Sequence, residues 1–143
     1  MPRPDEFTPP ASAFARSFEV CAADIDVLGH ANNVVWVRWV QDLATGHSDA
    51  LGYDLEHYRR LGLVWVVRRH DIEYLAPAYQ GDRLLGRTWV ASMGASSSQR
   101  RSTFCRERDG TLLCRAETTW VLVSAEGRPT RVPDPMRRAF AAE

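Results

Sequence analysis

Lysine is missing altogether: all 18 basic side chains among the 143 residues are arginine. Without a side-chain primary amine, Schiff-base chemistry and a lysine general base are excluded, while many planar guanidinium forks suited to phosphate remain. An excess of either charge is also missing. The 18 basic residues balance 18 acidic ones, so no net field draws the chain to nucleic acid or to an anionic membrane. The longest apolar runs, Val34–Val37 and Leu63–Val67, are far too short for a bilayer span, and Met-Pro-Arg-Pro-Asp-Glu lacks the basic-then-apolar order of a signal peptide. We expect a cytoplasmic protein with no nucleic-acid and no membrane partner.

Cysteine is scarce. Cys21, Cys105 and Cys114 leave an odd thiol under any pairing. Asp109-Gly110 reads as a two-residue hairpin turn that would set Cys105 directly opposite Cys114. Opposed positions hold Cβ atoms about 4.5–5.5 Å apart, wide for a relaxed disulfide, so reduced thiols are expected. His30, His47, His57 and His70 show no zinc spacing, and no metal site is expected.

What is present suits one globular domain: 45% hydrophobic and 25% charged residues supply a core and a soluble surface. Residues 1–12, rich in Pro and polar groups, read as a loose N-terminal segment, and 13–143 as a single domain. Phe14–Ala22 reads as a strand. From Asn32 or Asn33 to Ala50, Val37, Val40, Leu43 and Ala44 recur at helical spacing. Asp54–Leu61 forms a short helical connector. Leu63–Tyr74, Arg83–Met93, Ser97–Arg108 and Thr111–Ser124 are β-branched or aromatic-rich segments separated by turn residues. Val132–Phe140, opened by Pro133, predicts a short terminal helix. An antiparallel meander curled around one apolar helix satisfies this order, which is an α+β class.

Asp24 to Trp39 carries the chemistry. Two carboxylates, Asp24 and Asp26, precede Gly29, His30 and the amides Asn32 and Asn33, just ahead of the apolar helical run. A carboxylate able to act as base or nucleophile, beside a helix N-terminus whose free N–H groups can hold an oxyanion, is the minimum equipment for acyl transfer. If the stretch is extended, Asp24 points away from Asp26 and is a structural acceptor.

This loop, Asp24, Asp26, Gly29, His30, Asn32, Asn33 with Trp36 in place of Tyr, resembles the D-x-D-x-x-G-H-x-N-N-x-x-Y pattern of hot-dog-fold acyl-CoA thioesterases of the 4-hydroxybenzoyl-CoA thioesterase and YbgC-like group. Ile72-Glu73-Tyr74-Leu75 with Pro77 and Gly81-Asp82 resembles that family's second-strand ending, and Asp109-Gly110 and the Pro129…Pro133…Arg137 tail resemble its C-terminal part. The resemblance covers about residues 14–140. It implies a hot-dog fold, one long central helix wrapped by a curved antiparallel sheet of about five strands, assembled as a homodimer or homotetramer. It also implies an acyl-CoA or acyl-carrier thioester substrate bound between subunits, hydrolysed to carboxylic acid and free thiol. Asp26 then falls at the catalytic carboxylate, and the helix-start amide near Asn33 where the carbonyl is polarised. No metal or redox cofactor is required, coenzyme A entering as part of the substrate. Plant acyl-carrier-protein thioesterases, related in fold, carry a similar Asp-x-Asn-x-His run, but Leu28 stands at the Asn position here. Gln41 stands where the family usually has a helix acid, with Asp42 following.

Around Asp26 and Asn33, His30 either positions the carbonyl or water or stitches the loop with its ring N–H groups. Gly29 supplies an unusual backbone angle and Asn32 a helix cap. Trp36 is expected in the core or on the acyl pocket wall, and Glu73 as a second acid unless it is neutralised with Arg69 and Asp71 on one strand face. Arg100 or Arg101 is the choice for the 3′-phosphate of coenzyme A at the pocket mouth, the other arginine pairs being solvated faces. Two rival functions share the motif: a hot-dog enoyl-thioester hydratase or dehydratase using Asp and His for proton transfer, and a non-catalytic acyl-thioester-binding module.

Overall fold

The computed structural model describes residues 3–141. Strand β1 (Phe14–Glu19) leads through a short 3₁₀ turn, Ala22–Asp24, into the long helix α1 (Asn33–Ala50). A short helix α2 (Leu55–Leu61) follows, then β2 (Leu63–Tyr74), β3 (Arg83–Met93), β4 (Ser97–Arg106), β5 (Leu112–Ser124) and a terminal helix α3 (Asp134–Phe140). β2 and β3 keep the limits predicted from their composition. β1, β4 and β5 are shorter by one to three residues at their loop ends, where Val20, Glu107 and Thr111 turn their backbone bonds onto Asp82, Arg83 and Arg106.

The strands form one antiparallel sheet in the order β1-β3-β4-β5-β2. This corrects the simple meander: only β3, β4 and β5 follow one another, while β2 crosses to the far edge beside β5. The helical excursion between β1 and β2 carries the chain across the sheet, so neighbours in sequence need not pair. Bulges between Val67 and Arg69 and between Val90 and Ser92 bend the sheet around α1, giving the α+β hot-dog architecture. The β4–β5 connection is longer than the two-residue turn expected, and a bulge after Phe104 pairs Cys114 with Phe104, leaving Cys105 opposite Leu112. All three thiols are free. Burial pushes the Cys114 thiol up to about 12.

α1 turns Trp36, Trp39, Val40, Leu43 and Ala44 onto the sheet, a stripe at i, i+3, i+4, i+7 and i+8. The stripe begins one residue before the predicted Val37, because the bulky Trp36 takes the inward position. Each large apolar side chain so buried contributes about 1.5–3 kcal/mol. Close seating depends on Gly86, since a Cβ there would lie 2.9 Å from Phe18 and 3.0 Å from Leu43. A second cluster, Tyr58, Val90, Leu122, Val132, Met136 and Phe140, packs α2 and α3 against the other end of the sheet.

The N-terminal segment is not loose where it is described. Pro4–Phe7 forms a 3₁₀ turn that packs the buried Phe7 on the sheet face opposite α1, beneath the guanidinium groups of Arg101 and Arg115 at 5.9 and 5.3 Å. Glu6 adds an ion pair to Arg101 at 3.1 Å. One aromatic side chain and one carboxylate suffice to dock a Pro-rich segment that periodicity reads as coil. Residues 1 and 2 lie outside the described residues.

Candidate active site

The loop before α1 is a compact, hydrogen-bonded turn. Ile25 bridges Ala31, Asp26 N–H donates to His30 C=O at 3.1 Å, and Gly29 N–H donates to Asp26 C=O at 3.0 Å. Gly29 sits at φ 88°, which a side chain rarely adopts, although open space surrounds the place of a Cβ. Its glycine is thus required by backbone angle and not by crowding.

Asp24 and Asp26 separate as alternation predicts. Asp24 is buried, accepts from Cys21 N–H at 2.9 Å and pairs with Arg38 at 3.1 Å, so it holds the loop to α1. Asp26 is half-buried; its Oδ1 accepts from Leu28 N–H at 2.9 Å, and Oδ2 has no protein partner among the described residues. One oxygen orients the carboxylate and the other is left for water or substrate. The His30 ring has no protein hydrogen bond among the described residues, which disfavours the stitching role, and its backbone C=O is what closes the loop.

Asn32 caps α1: its Oδ1 accepts from Val34 N–H at 2.9 Å while its own N–H reaches Asp24 C=O. The N–H of Asn33, the first residue of the helix, donates to no protein group among the described residues. An unpaired N–H at the positive end of an 18-residue helix carries partial positive charge and can accept an anion. The loop and the first helical turn also expose the apolar side chains Val27, Leu28 and Val34. Tyr74, ending β2, donates its OH to Asn33 C=O at 3.4 Å, which brings the edge strand to the helix start.

Trp36 and Glu73 take the structural one of their two expected roles, and the expectation of a phosphate grip at Arg100 or Arg101 is corrected. Trp36 is 3% exposed, in edge-to-face contact with Trp39 at 4.9 Å and Phe104 at 5.5 Å, and so belongs to the core and not to a pocket wall. Glu73 is tied to Arg115 at 2.6 Å, while Arg69 and Asp71 pair at 3.3 Å, so this strand face neutralises itself and offers no free acid. Arg101 is held by Glu6 and Glu117, each at 3.1 Å. Arg100 is turned inward and 5% exposed. Neither is placed to grip a phosphate at a pocket mouth. Consecutive strand residues face opposite sides, and here the inner side is covered by α1 and the outer by the N-terminal segment.

Sequence reasoning missed the inner end of Arg100. It reaches a cavity of about 190 Å³ between the C-terminal half of α1, α2 and the sheet, lined by Tyr53, Tyr58, Val64, Trp65, Trp120 and Phe140 among others. Arg100 Nη1 donates to His47 Nδ1 at 3.0 Å and to Thr88 Oγ1 at 3.2 Å. Burial, aided by the Arg100 charge, lowers the His47 pKa from 6.5 to about 4, so the ring is a neutral acceptor at pH 7. The unfolded chain therefore takes up this proton first as pH falls. The stability that neutral His47 confers is complete above pH 6.5 and is lost on descent toward pH 4. Thermal midpoints should drop across that window, and the drop should be shallower in His47→Gln, whose amide oxygen can still accept from Arg100; parallel pH profiles of the two proteins would refute it.

Known proteins share this frame. The 1,4-dihydroxy-2-naphthoyl-CoA thioesterase Slr0204 of Synechocystis superposes with a TM-score of 0.82 at 21% identity, covering 90% of this chain and 96% of that one. The Staphylococcus aureus protein SAV2348, solved in complex with CoA, gives 0.84 at 17% identity over 90% of this chain and 81% of that one. In sequence, the chloroplastic acyl-[acyl-carrier-protein] hydrolase FATB2 of Cuphea viscosissima is 26% identical over 133 residues, 87% of this chain and 32% of that protein. The chloroplastic palmitoyl-acyl carrier protein thioesterase of Cuphea hookeriana is likewise 26% identical, over 87% of this chain and 32% of its own length. The chain spans about a third of these curated relatives. The model of the acyl-ACP thioesterase N-terminal domain matches residues 11–140, taking in the loop, the long helix and all five strands, and the chain accordingly belongs to the acyl-ACP thioesterase family.

Proposed function

We propose that this chain hydrolyses an acyl thioester to a carboxylic acid and a free thiol. The observation that carries the reading is a half-buried Asp26 with one oxygen free, followed seven residues on by the Asn33 N–H at the start of a long helix, both without a protein partner among the described residues. Asp26 acts as nucleophile toward the thioester carbonyl or as base toward water. The helix N–H receives the oxyanion of the tetrahedral intermediate, an interaction typically worth about 3–4 kcal/mol. A thiolate leaves readily, so no strong general acid is needed. His30, without a protein partner among the described residues, is available to position water or carbonyl. Gly29 and Asn32 shape the loop and cap on which both groups depend.

The substrate is a thioester of coenzyme A or of a carrier-protein phosphopantetheine, handled in the cytoplasm. Coenzyme A is favoured by the Slr0204 and SAV2348 folds, and the carrier protein by the family itself. The working unit is a homodimer or homotetramer. β2 is the longer of the two free sheet edges, twelve residues against six in β1, and exposes Val64 and Val66. An uncovered edge of that kind pairs with its copy about a two-fold axis. A thiol-release screen over short, long and aromatic acyl-CoAs and acyl-carrier proteins, with light scattering on the same sample, should show turnover and no monomer at micromolar concentration. Tight binding without thiol release would favour the non-catalytic module. Hydration of crotonyl-CoA without thiol release would favour the hydratase.

A further inference from the structure

Among the described residues Arg100 is a buried cation without an anion. Among the described residues no carboxylate pairs with it; its protein partners are the neutral His47 and Thr88, both on Nη1. Nε and Nη2 have no protein partner among the described residues. Unlike His70 Nε2, Trp120 Nε1 and Arg137 Nε, they are not fully enclosed, and Arg100 lines the cavity. Of the five N–H donors of a guanidinium, three therefore remain for a ligand. Tying α1 to β3 through His47 and Thr88 needs only Nη1, and a neutral amide would do that without burying a charge.

The walls around this cation are apolar and aromatic. Tyr58 donates to Ser48 Oγ at 2.9 Å, and that hydroxyl donates to Tyr53 C=O at 2.6 Å, so these groups satisfy each other. Asp49 lines the cavity but is exposed and makes no ion pair with Arg100. A slot that is apolar along its walls and cationic at its base fits an aliphatic or aromatic chain ending in a carboxylate.

Within one protomer the cavity and Asp26 lie at opposite ends of α1, which at 18 residues is about 27 Å long. β2 connects the two ends. Val64 and Trp65 at its start line the cavity, while Tyr74 at its end touches Asn33. Antiparallel pairing of β2 with its copy lays the start of one strand beside the end of the other. The cavity of one protomer then adjoins the Asp26 loop of its partner.

We propose that this cavity receives the far end of the acyl group bound at the partner's Asp26, and that Arg100 binds a terminal carboxylate there, making thioesters of dicarboxylic acids the preferred substrates. The inference rests on the thioesterase and two-fold readings above. Adipyl- and suberyl-CoA should be hydrolysed with at least about tenfold higher kcat/KM than hexanoyl- and octanoyl-CoA. Arg100→Met should abolish that preference and Arg100→Lys should keep part of it. Equal rates on both series in the wild type, or an equal loss on both in a folded Arg100→Met, would overturn the proposal.

Binding of free adipate, followed by calorimetry on wild type and Arg100→Met, separates this site from the reaction. Adipate bound by wild type and not by the variant supports the site even if no thioester is cleaved; hexanoyl-CoA cleaved with no adipate bound removes the site and leaves the thioesterase. Mixed dimers of Asp26→Asn and Arg100→Met provide the test across subunits. They contain one intact composite site only if Asp26 and Arg100 come from different protomers, so recovered adipyl-CoA turnover is expected. Dimers that mix without recovering it would overturn the shared site.

Discussion

Asp26→Asn is expected to lower thiol release by at least about 10²-fold while leaving the thermal midpoint and the oligomeric state unchanged. The asparagine Oδ1 can still accept the Leu28 N–H that Asp26 now holds at 2.9 Å, so the loop keeps its turn. What disappears is the charge on the second oxygen, the group proposed to attack the carbonyl or take a proton from water. Release of thiol from a single turnover, followed with a chromogenic disulfide, measures the chemical step. A rate near that of the wild type would remove Asp26 from the mechanism. Asp24 could not replace it, because its carboxylate is committed to Arg38 and Cys21 N–H beneath the loop.

Trp36→Ala is expected to destabilise the fold by about 3–5 kcal/mol, the range for deleting a large aromatic side chain from a packed core. For a domain of this size that is a fall in Tm of roughly 10–20 °C. The side chain is 3% exposed and wedged against Trp39 and Phe104, and the cavity left behind has little around it that can collapse. Thermal unfolding followed by circular dichroism reads this directly. If Trp36 instead lined an acyl pocket, the substitution would change KM for longer chains and leave Tm near its original value.

Local signals were read correctly from the chain because they depend on residues close in sequence. The cap at Asn32, the start of α1 at Asn33 and the limits of β2 and β3 follow from side chain to backbone bonding and from periods of 3.6 and 2. The separation of Asp24 from Asp26 followed the same way, as did the pairing of Arg69 with Asp71. The loop motif was specific enough to carry the fold with it, since its glycine, cap and carboxylates all serve one turn.

Other features were fixed only once distant segments met. Alternation in β4 states that Arg100 and Arg101 face opposite sides, but not that α1 covers one side and Phe7 the other. That choice turned a supposed phosphate clamp into a buried cation and an outer ion-pair cluster. Strand order was equally illegible, because β2 pairs with β5 across about fifty residues and nothing in either strand alone names its neighbour. By itself, then, the sequence determined which segments are helix and strand and where the candidate active-site loop lies, because hydrogen bonding and periodicity act over a few residues. The tertiary structure alone decided which faces are buried, which charges are paired and that a cavity opens beside Arg100, because burial is a property of what packs against a residue from elsewhere in the chain.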